Sequence, residues 1–207
     1  MFITLEGPDG SGKTRQIHPL AAFLMQQGYS VFIAREPGGT SIGDQVREVL
    51  MNMQNISMHS RTETLLFCAA RAQLVEEVIL PHLSQGEIVI LDRYADSTLA
   101  YQGYGHRHDL DLIRSLLDFA TGGLKPDLTF LLDIDPEIGL RRRQTGGGEW
   151  NRLDAYQLEY HQRVRRGYLE MAALEPSRWR VMDASLAPDV VQSHLQNELL
   201  SYLSKLS

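Results

Sequence analysis

The stretch Gly7-Pro8-Asp9-Gly10-Ser11-Gly12-Lys13-Thr14 has the residue types and spacing to hold a chain of phosphates. It fits the pattern of a glycine, four free positions, then Gly-Lys-Ser/Thr. Glycines let the backbone curl so that successive N–H groups point inward at an anion. A helix starting at the motif adds its positive end. Lys13 can reach the β- and γ-phosphates, and the Thr14 hydroxyl can ligate Mg²⁺. Phe2-Ile3-Thr4-Leu5 reads as an apolar strand before the motif, and Ile17, Leu20, Ala21 and Leu24 as a helical face after it. Strand, glycine turn and helix together give the motif its meaning: the chain is expected to bind a nucleoside triphosphate.

Further reactive groups stand at predicted strand ends. Asp92 closes the apolar run 87–92 and is suited to orient Mg²⁺ directly or through water, with Asp133 a second candidate. Arg93 follows, a planar guanidinium fit for bidentate phosphate contact. Phe67 and Arg71 lie four apart on a predicted helix, pairing a stacking surface with an edge donor for a base. Arg141, Arg142, Arg143 and Arg152 surround Gly146-Gly147-Gly148, which reads as a hinged lid bringing positive charge over a transferring phosphoryl group. Glu36, before Pro37, could act as general base, orient an arginine or cap a turn, and the sequence leaves these open.

These residues need elements to position them. Strands are predicted at 2–5, 29–34, 87–92, 128–133 and 178–182. Helices are predicted from Ser41 to about 53, from Ser60 to about 83 with Glu63 completing a capping box, over 109–121, from Pro136 through the arginines, from about 154 to 174, and from 188 to 203. Strands alternating with helices imply a doubly wound α/β fold, a five-stranded, mostly parallel sheet flanked by helices. Ligands gather beyond the C-terminal strand ends of such sheets, where the candidates collect.

The 207 residues suit one domain, 1–207, with a short lid at about 141–153. A net charge of −6 argues against a sequence-independent grip on nucleic acid. The single cysteine, Cys68, lies in an apolar helical run and fits a reducing compartment. No apolar run approaches the length of about 18 residues that spans a membrane, and residue 2 onward reads as a strand, so the chain is expected to be cytoplasmic with no membrane partner.

Taken in order, Leu5 to Thr14, Arg35-Glu36-Pro37-Gly38-Gly39-Thr40, Phe67 with Ala70-Arg71, Asp92-Arg93-Tyr94 with Asp96 to Gly103, Pro126-Asp127-Leu128-Thr129 and Asn151-Arg152-Leu153-Asp154 closely resemble the thymidylate kinase family of nucleoside monophosphate kinases. The resemblance implies ATP and Mg²⁺ acting on dTMP to give dTDP. It implies that Gly7, Pro8, Asp9, Gly10, Ser11, Gly12, Lys13 and Thr14 hold ATP, and that Arg93 bridges toward the acceptor phosphate. Phe67 would stack on thymine and Arg71 bond its O4 edge. Ser97, Thr98 and Gln102 fall where the family reads the pyrimidine, Tyr101 where an aromatic ring crowds C2′ of the sugar, and Asp9, Glu36 and Arg47 at acceptor-site positions. Some members carry an arginine in the phosphate loop. Here that position is Gly10, so the resemblance assigns catalysis to Lys13, Arg93 and the lid, with Arg152 foremost and Arg141 in the same cluster. Arg15 and the triple glycine depart from the family pattern, and the triple glycine implies a looser lid. The family also implies a homodimer. Competing expectations are a deoxynucleoside kinase using Glu36 as base, another monophosphate kinase, and a nucleotide-dependent switch or binding module. No Asn-Lys-x-Asp guanine signature supports the GTPase form of the last.

Overall fold

The computed structural model describes residues 1–146 and 150–205. Gly147 and Gly148 of the expected lid hinge lie outside the described residues. Five strands, β1 (Phe2–Glu6), β2 (Val31–Arg35), β3 (Ile88–Asp92), β4 (Leu128–Asp133) and β5 (Trp179–Asp183), form one all-parallel sheet in the order β2-β3-β1-β4-β5. The chain leaves β1 for an edge by one crossover and returns past it to the other side. The order therefore reverses beside β1, and the crevice opens at the end of that strand.

Alternation along the strands divides the core. Ile3, Leu5, Ile88, Ile90, Phe130 and Leu132 face α1 (Lys13–Gln26) and α9 (Pro188–Leu203), which contribute Ile17, Leu20, Leu24, Val191, Leu195 and Leu199. On the opposite face, Phe2, Val89 and Leu91 meet Leu74 of α3 (Ser60–Leu74) and the π-helical turn Val75–Ile79 that leads into α4 (Leu80–Ser84). Leu131 and Trp179 meet α6 (Leu110–Thr121) and α8 (Leu158–Leu174) there. The same alternation turns Glu6, at the end of β1, toward this second face.

The strands begin and end within two residues of expectation. β2 starts later than predicted because Tyr29 still bonds back to Leu24 O at 3.1 Å after the left-handed Gly28. α2 (Ser41–Met51) is capped by Thr40, whose hydroxyl accepts from the Gly43 amide at 2.9 Å, rather than by Ser41. The expected Ser60–Glu63 capping box does not form. His59 Nδ1 caps α3 by accepting from the Arg61 amide, and Glu63 turns wholly inward. Burial of its carboxylate against Arg152 wins over the local cap. The helix expected from 154 starts at Leu158, because Asp154 is held by Arg143 and the Asn151 amide. Short α5 (Ala95–Thr98) and a π-helical segment, Leu99–Gly105, follow β3. α7 (Pro136–Thr145) follows β4, capped by Asp135.

Candidate active site

The loop from Gly7 to Gly12 leaves β1 and enters α1 through Gly12, at φ 91°. Lys13 is buried. Its ammonium donates to Gly7 O at 2.9 Å, Pro8 O at 3.0 Å and Ser11 Oγ at 3.2 Å, so it is poised over the loop. Burial, then Arg93, bring its pKa down to about 8 against the pull of Asp92, Asp9 and Glu6. Thr14 Oγ1 donates to Asp92 Oδ2 at 2.8 Å. The hydroxyl and the strand-end carboxylate thus adjoin, as a Mg²⁺ carried by phosphates requires; such an ion needs only one or two protein ligands. Among the described residues no cluster of three acidic, histidine or cysteine side chains offers an all-protein cage.

Gly10 is tied to its neighbour by contact. It has φ 75°, and a Cβ built on it would lie 2.0 Å from Gly139 O of α7. A Cβ on Gly139 would lie 2.2 Å from Asp9 O. The phosphate loop and α7 meet backbone to backbone, which leaves no room for a side chain at position 10.

Arg93 carries the other strand tip at φ 67°, a strained value for an arginine. Its guanidinium makes up for this with a dense set of bonds. Nη2 donates to Asp9 Oδ1 at 2.6 Å and Tyr101 OH at 3.1 Å; Nη1 donates to Gly7 O, Ser97 Oγ and Tyr168 OH. Tyr101 OH in turn donates to Asp9 Oδ2 at 2.6 Å. Burial alone would raise the Asp9 pKa, but Arg93 and Lys13 outweigh it and hold the carboxyl below its ordinary value.

Arg71 is almost wholly buried and fixed on every side. Nε donates to both oxygens of Glu36 at 3.0 and 2.9 Å, Nη2 to Glu36 Oε2 at 2.5 Å and Tyr94 O at 3.1 Å, and Nη1 to Thr98 Oγ1 at 3.0 Å. Burial lowers the Arg71 pKa and Glu36 more than restores it. Glu36 is therefore the partner that orients Arg71. Of the three roles open in the sequence, these contacts correspond to orienting an arginine. Phe67 lies one turn earlier on α3, and Thr98 and Gln102 line the same cleft. Arg47 Nη1 donates to Pro37 O at 2.9 Å and lines the same wall.

One cleft of about 920 Å³ gathers Asp9, Gly10, Gly12, Lys13, Thr14, Glu36, Arg47, Phe67, Arg71, Asp92, Arg93, Ser97, Thr98, Tyr101 and Gln102. Of the loop, Gly7, Pro8 and Ser11 are not on its wall but accept from the Lys13 ammonium, and two expected arginines are not brought to it. Arg152 is 2% exposed, with Nη1 on Glu63 Oε2 at 2.6 Å and Nε on Leu50 O at 2.9 Å. Arg141 is exposed and absent from the cleft wall. Arg142 and Arg143 line the cleft instead. Arg143 pairs with Asp154 at 2.6 Å, and Arg142 Nη1 donates to Ala184 O at 2.9 Å. Successive helix positions diverge by about 100°, so three consecutive arginines cannot all face the cleft, and Arg141 is the one turned away from it. Asp133, the second metal candidate, is taken by Arg165 at 2.7 Å.

Sequence reasoning gave Glu63 only a helix-capping role and gave none to Glu6 or Tyr168. Glu6 is buried beneath Arg93. It accepts from the Tyr94 amide at 2.7 Å, Ser97 Oγ at 2.6 Å and Tyr168 OH at 2.8 Å. Burial, then Asp96, push its pKa up to about 7. A glutamate ending an otherwise apolar strand was the available signal for it.

Comparison with known proteins gives one consistent result. A family model described as thymidylate kinase matches residues 5–195. A thymidylate kinase of Roseiflexus castenholzii is 50% identical over all of this chain and 95% of its own length. One of Carboxydothermus hydrogenoformans is 50% identical over 92% of each. The crystal structure of thymidylate kinase from Ehrlichia chaffeensis superposes with a TM-score of 0.77 at 37% identity, over 96% of this chain and 98% of that one.

Proposed function

The chain belongs to the thymidylate kinase family and uses ATP to phosphorylate dTMP to dTDP, and from that premise we propose how its residues divide the reaction. The acceptor is already a phosphate anion, so no strong base is needed. The work is alignment and charge neutralisation. The amides of residues 7–14 hold the ATP phosphates, with the Lys13 ammonium drawn from the loop carbonyls onto them. Thr14 and Asp92 would hold the Mg²⁺ that accompanies ATP, and that ion supplies charge neutralisation at the phosphates.

Arg93, aimed by Asp9 and Tyr101, bridges toward the acceptor phosphate, and Arg47 adds charge on the acceptor side. Phe67 stacks on the base. Arg71 donates to its O4 edge from a guanidinium that Glu36 and Thr98 hold rigid. Gln102 completes the reading of the base. Ser97 serves Arg93 and Glu6 through its hydroxyl and so acts on the base only at second hand. Tyr101 crowds the sugar. Lid charge comes from Arg142 and Arg143, with Arg152 as a buried anchor at the root of the lid. The chain works as one domain with residues 141–153 as the lid. Leu65 of α3 and Leu112 and Phe119 of α6 are exposed apolar side chains, Phe119 at 88%, and support pairing of two copies through these helices. Cys68 is buried with its thiol pKa raised by burial, which suits a reducing cytoplasmic setting.

The observation that carries this reading is that the phosphate loop, the Asp92–Arg93 tip and the Phe67–Arg71 face open onto one cleft. The test is ADP release with Mg-ATP and one acceptor at a time: dTMP, dUMP, dCMP, UMP, AMP and thymidine. A strong preference for dTMP is expected. Preference for thymidine would return Glu36 to the role of general base and overturn the assignment.

A further inference from the structure

Glu63 lies on α3 at the spacing that puts it on one face with Phe67 and Arg71, and it is fully buried. Its oxygens collect four donors. Oε1 accepts from Gln102 Nε2 at 2.7 Å and His106 Nε2 at 2.9 Å. Oε2 accepts from Arg152 Nη1 at 2.6 Å and Tyr156 OH at 3.0 Å. Burial would raise its pKa, but the His106 bond and the Arg152 charge outweigh this and bring it down to about 2, so the group is a carboxylate. A carboxylate only accepts. The amide group that Gln102 turns toward it must therefore be the NH₂; one N–H is spent on Glu63, and the carbonyl, which makes no hydrogen bond to Glu63, is the acceptor Gln102 can offer the cleft it lines.

We infer that Glu63 is a positioning residue for base specificity: it holds the Gln102 nitrogen and so presents the Gln102 carbonyl to the pyrimidine N3. The inference rests on the reading above, in which Arg71 and Gln102 face the base. Thymine offers an O4 acceptor beside an N3–H donor, which complements a donating Arg71 and an accepting Gln102. Cytosine offers an amino donor beside an N3 acceptor and is mismatched at both positions. Arg71 cannot change character, since a guanidinium only donates. A free glutamine amide can, by a half turn about its last torsion, and would then pair with cytosine N3. Glu63 removes that freedom. Its own rotation is fixed in turn by Arg152 and Tyr156, so one carboxylate ties base reading to the root of the lid.

The experiment measures kcat and KM for dTMP and dCMP in the wild type and in Glu63→Gln. A glutamine at 63 can meet Gln102 with either its oxygen or its nitrogen, and the lock is lost. The ratio of kcat/KM for dTMP over dCMP is expected to fall about tenfold or more, roughly one hydrogen bond made or missed, through KM rather than through kcat at saturating dTMP. An unchanged ratio would overturn the inference. Glu63→Gln also leaves the Arg152 charge buried without its counter-ion, a destabilising change. The pair Glu63→Gln with Arg152→Gln removes both charges and must show the same fall; a normal ratio in this pair would assign the effect to the stranded arginine and overturn the inference. Gln102→Leu separates the two levels. If it alters the ratio while Glu63→Gln does not, only the role of Glu63 fails. If it leaves the ratio unmoved, the reading of the base by Gln102 fails with it.

Discussion

Glu36→Gln tests whether this carboxylate orients or catalyses. Glu36 and Arg71 are both buried and meet through contacts of 2.5, 2.9 and 3.0 Å. Breaking such a pair from one side costs about 3–5 kcal/mol, mostly because the remaining charge is left in a poor medium. Glutamine keeps one carbonyl that still accepts from Arg71, and Arg71 keeps Thr98 and Tyr94 O, so the low end, about 3 kcal/mol, applies. In a protein of this size 1 kcal/mol moves Tm by about 2–4 °C, giving a fall of about 6–12 °C. Arg71 also loses its alignment to the base. KM for dTMP is expected to rise about tenfold, equivalent to ~1.4 kcal/mol, while kcat stays within about threefold because a phosphate acceptor needs no base. Thermal unfolding followed by circular dichroism and a coupled ADP assay read both effects. A Tm within about 2 °C of the wild type would refute the ion-pair reasoning. A loss of kcat by about a hundredfold or more at saturating dTMP would refute the orienting role, since that is the scale of a removed general base.

Lys13, with its pKa near 8, should make kcat/KM for ATP decline above pH 8 as the ammonium loses its proton, and a flat profile through pH 9 would contradict this. Because its folded pKa lies below the unfolded value of about 10.4, Lys13 weakens the fold fully below pH 8 and is relieved of that cost as pH rises toward about 10.4. Gly139→Ala sets a methyl where Asp9 O stands 2.2 Å away, so α7 must back off the phosphate loop; KM for ATP should rise about tenfold with little change in Tm, and wild-type kinetics would show the contact to be dispensable. Under the proposed pairing through α3 and α6, Phe119→Glu should shift the sedimentation coefficient from dimer to monomer, and an unchanged value would overturn pairing through this face.

Much of the site is legible in the sequence wherever function depends on local backbone. The phosphate loop is one continuous stretch, and its glycines, lysine and threonine act at fixed spacing. Asp92 and Arg93 follow from strand ends, because an apolar run must stop where the chain leaves the core. Phe67 and Arg71 follow from helical periodicity. For the same reason the alternation of strands and helices is sufficient for a mostly parallel sheet with the candidates at its C-terminal strand ends, and the fold makes all four pairings parallel.

Tertiary packing decides what local rules leave open. Ser60 and Glu63 make an acceptable capping box, yet Glu63 meets Arg152 and Gln102, which no spacing along the chain relates to it. The same pair takes Arg152 out of the cleft and leaves Arg142 and Arg143 facing it. Glu36, in the loop after β2, could serve three roles in the sequence, and in the fold Arg71 of α3 fills its oxygens. Gly10 reads as a free loop position until Gly139 closes on it. Sequence determined which chemical groups are present and which lie on turns and strand ends, because these depend on neighbours within a few residues. Only the fold decided how each charge is paired, because a buried carboxylate or guanidinium takes whichever opposite charge the packing brings within reach.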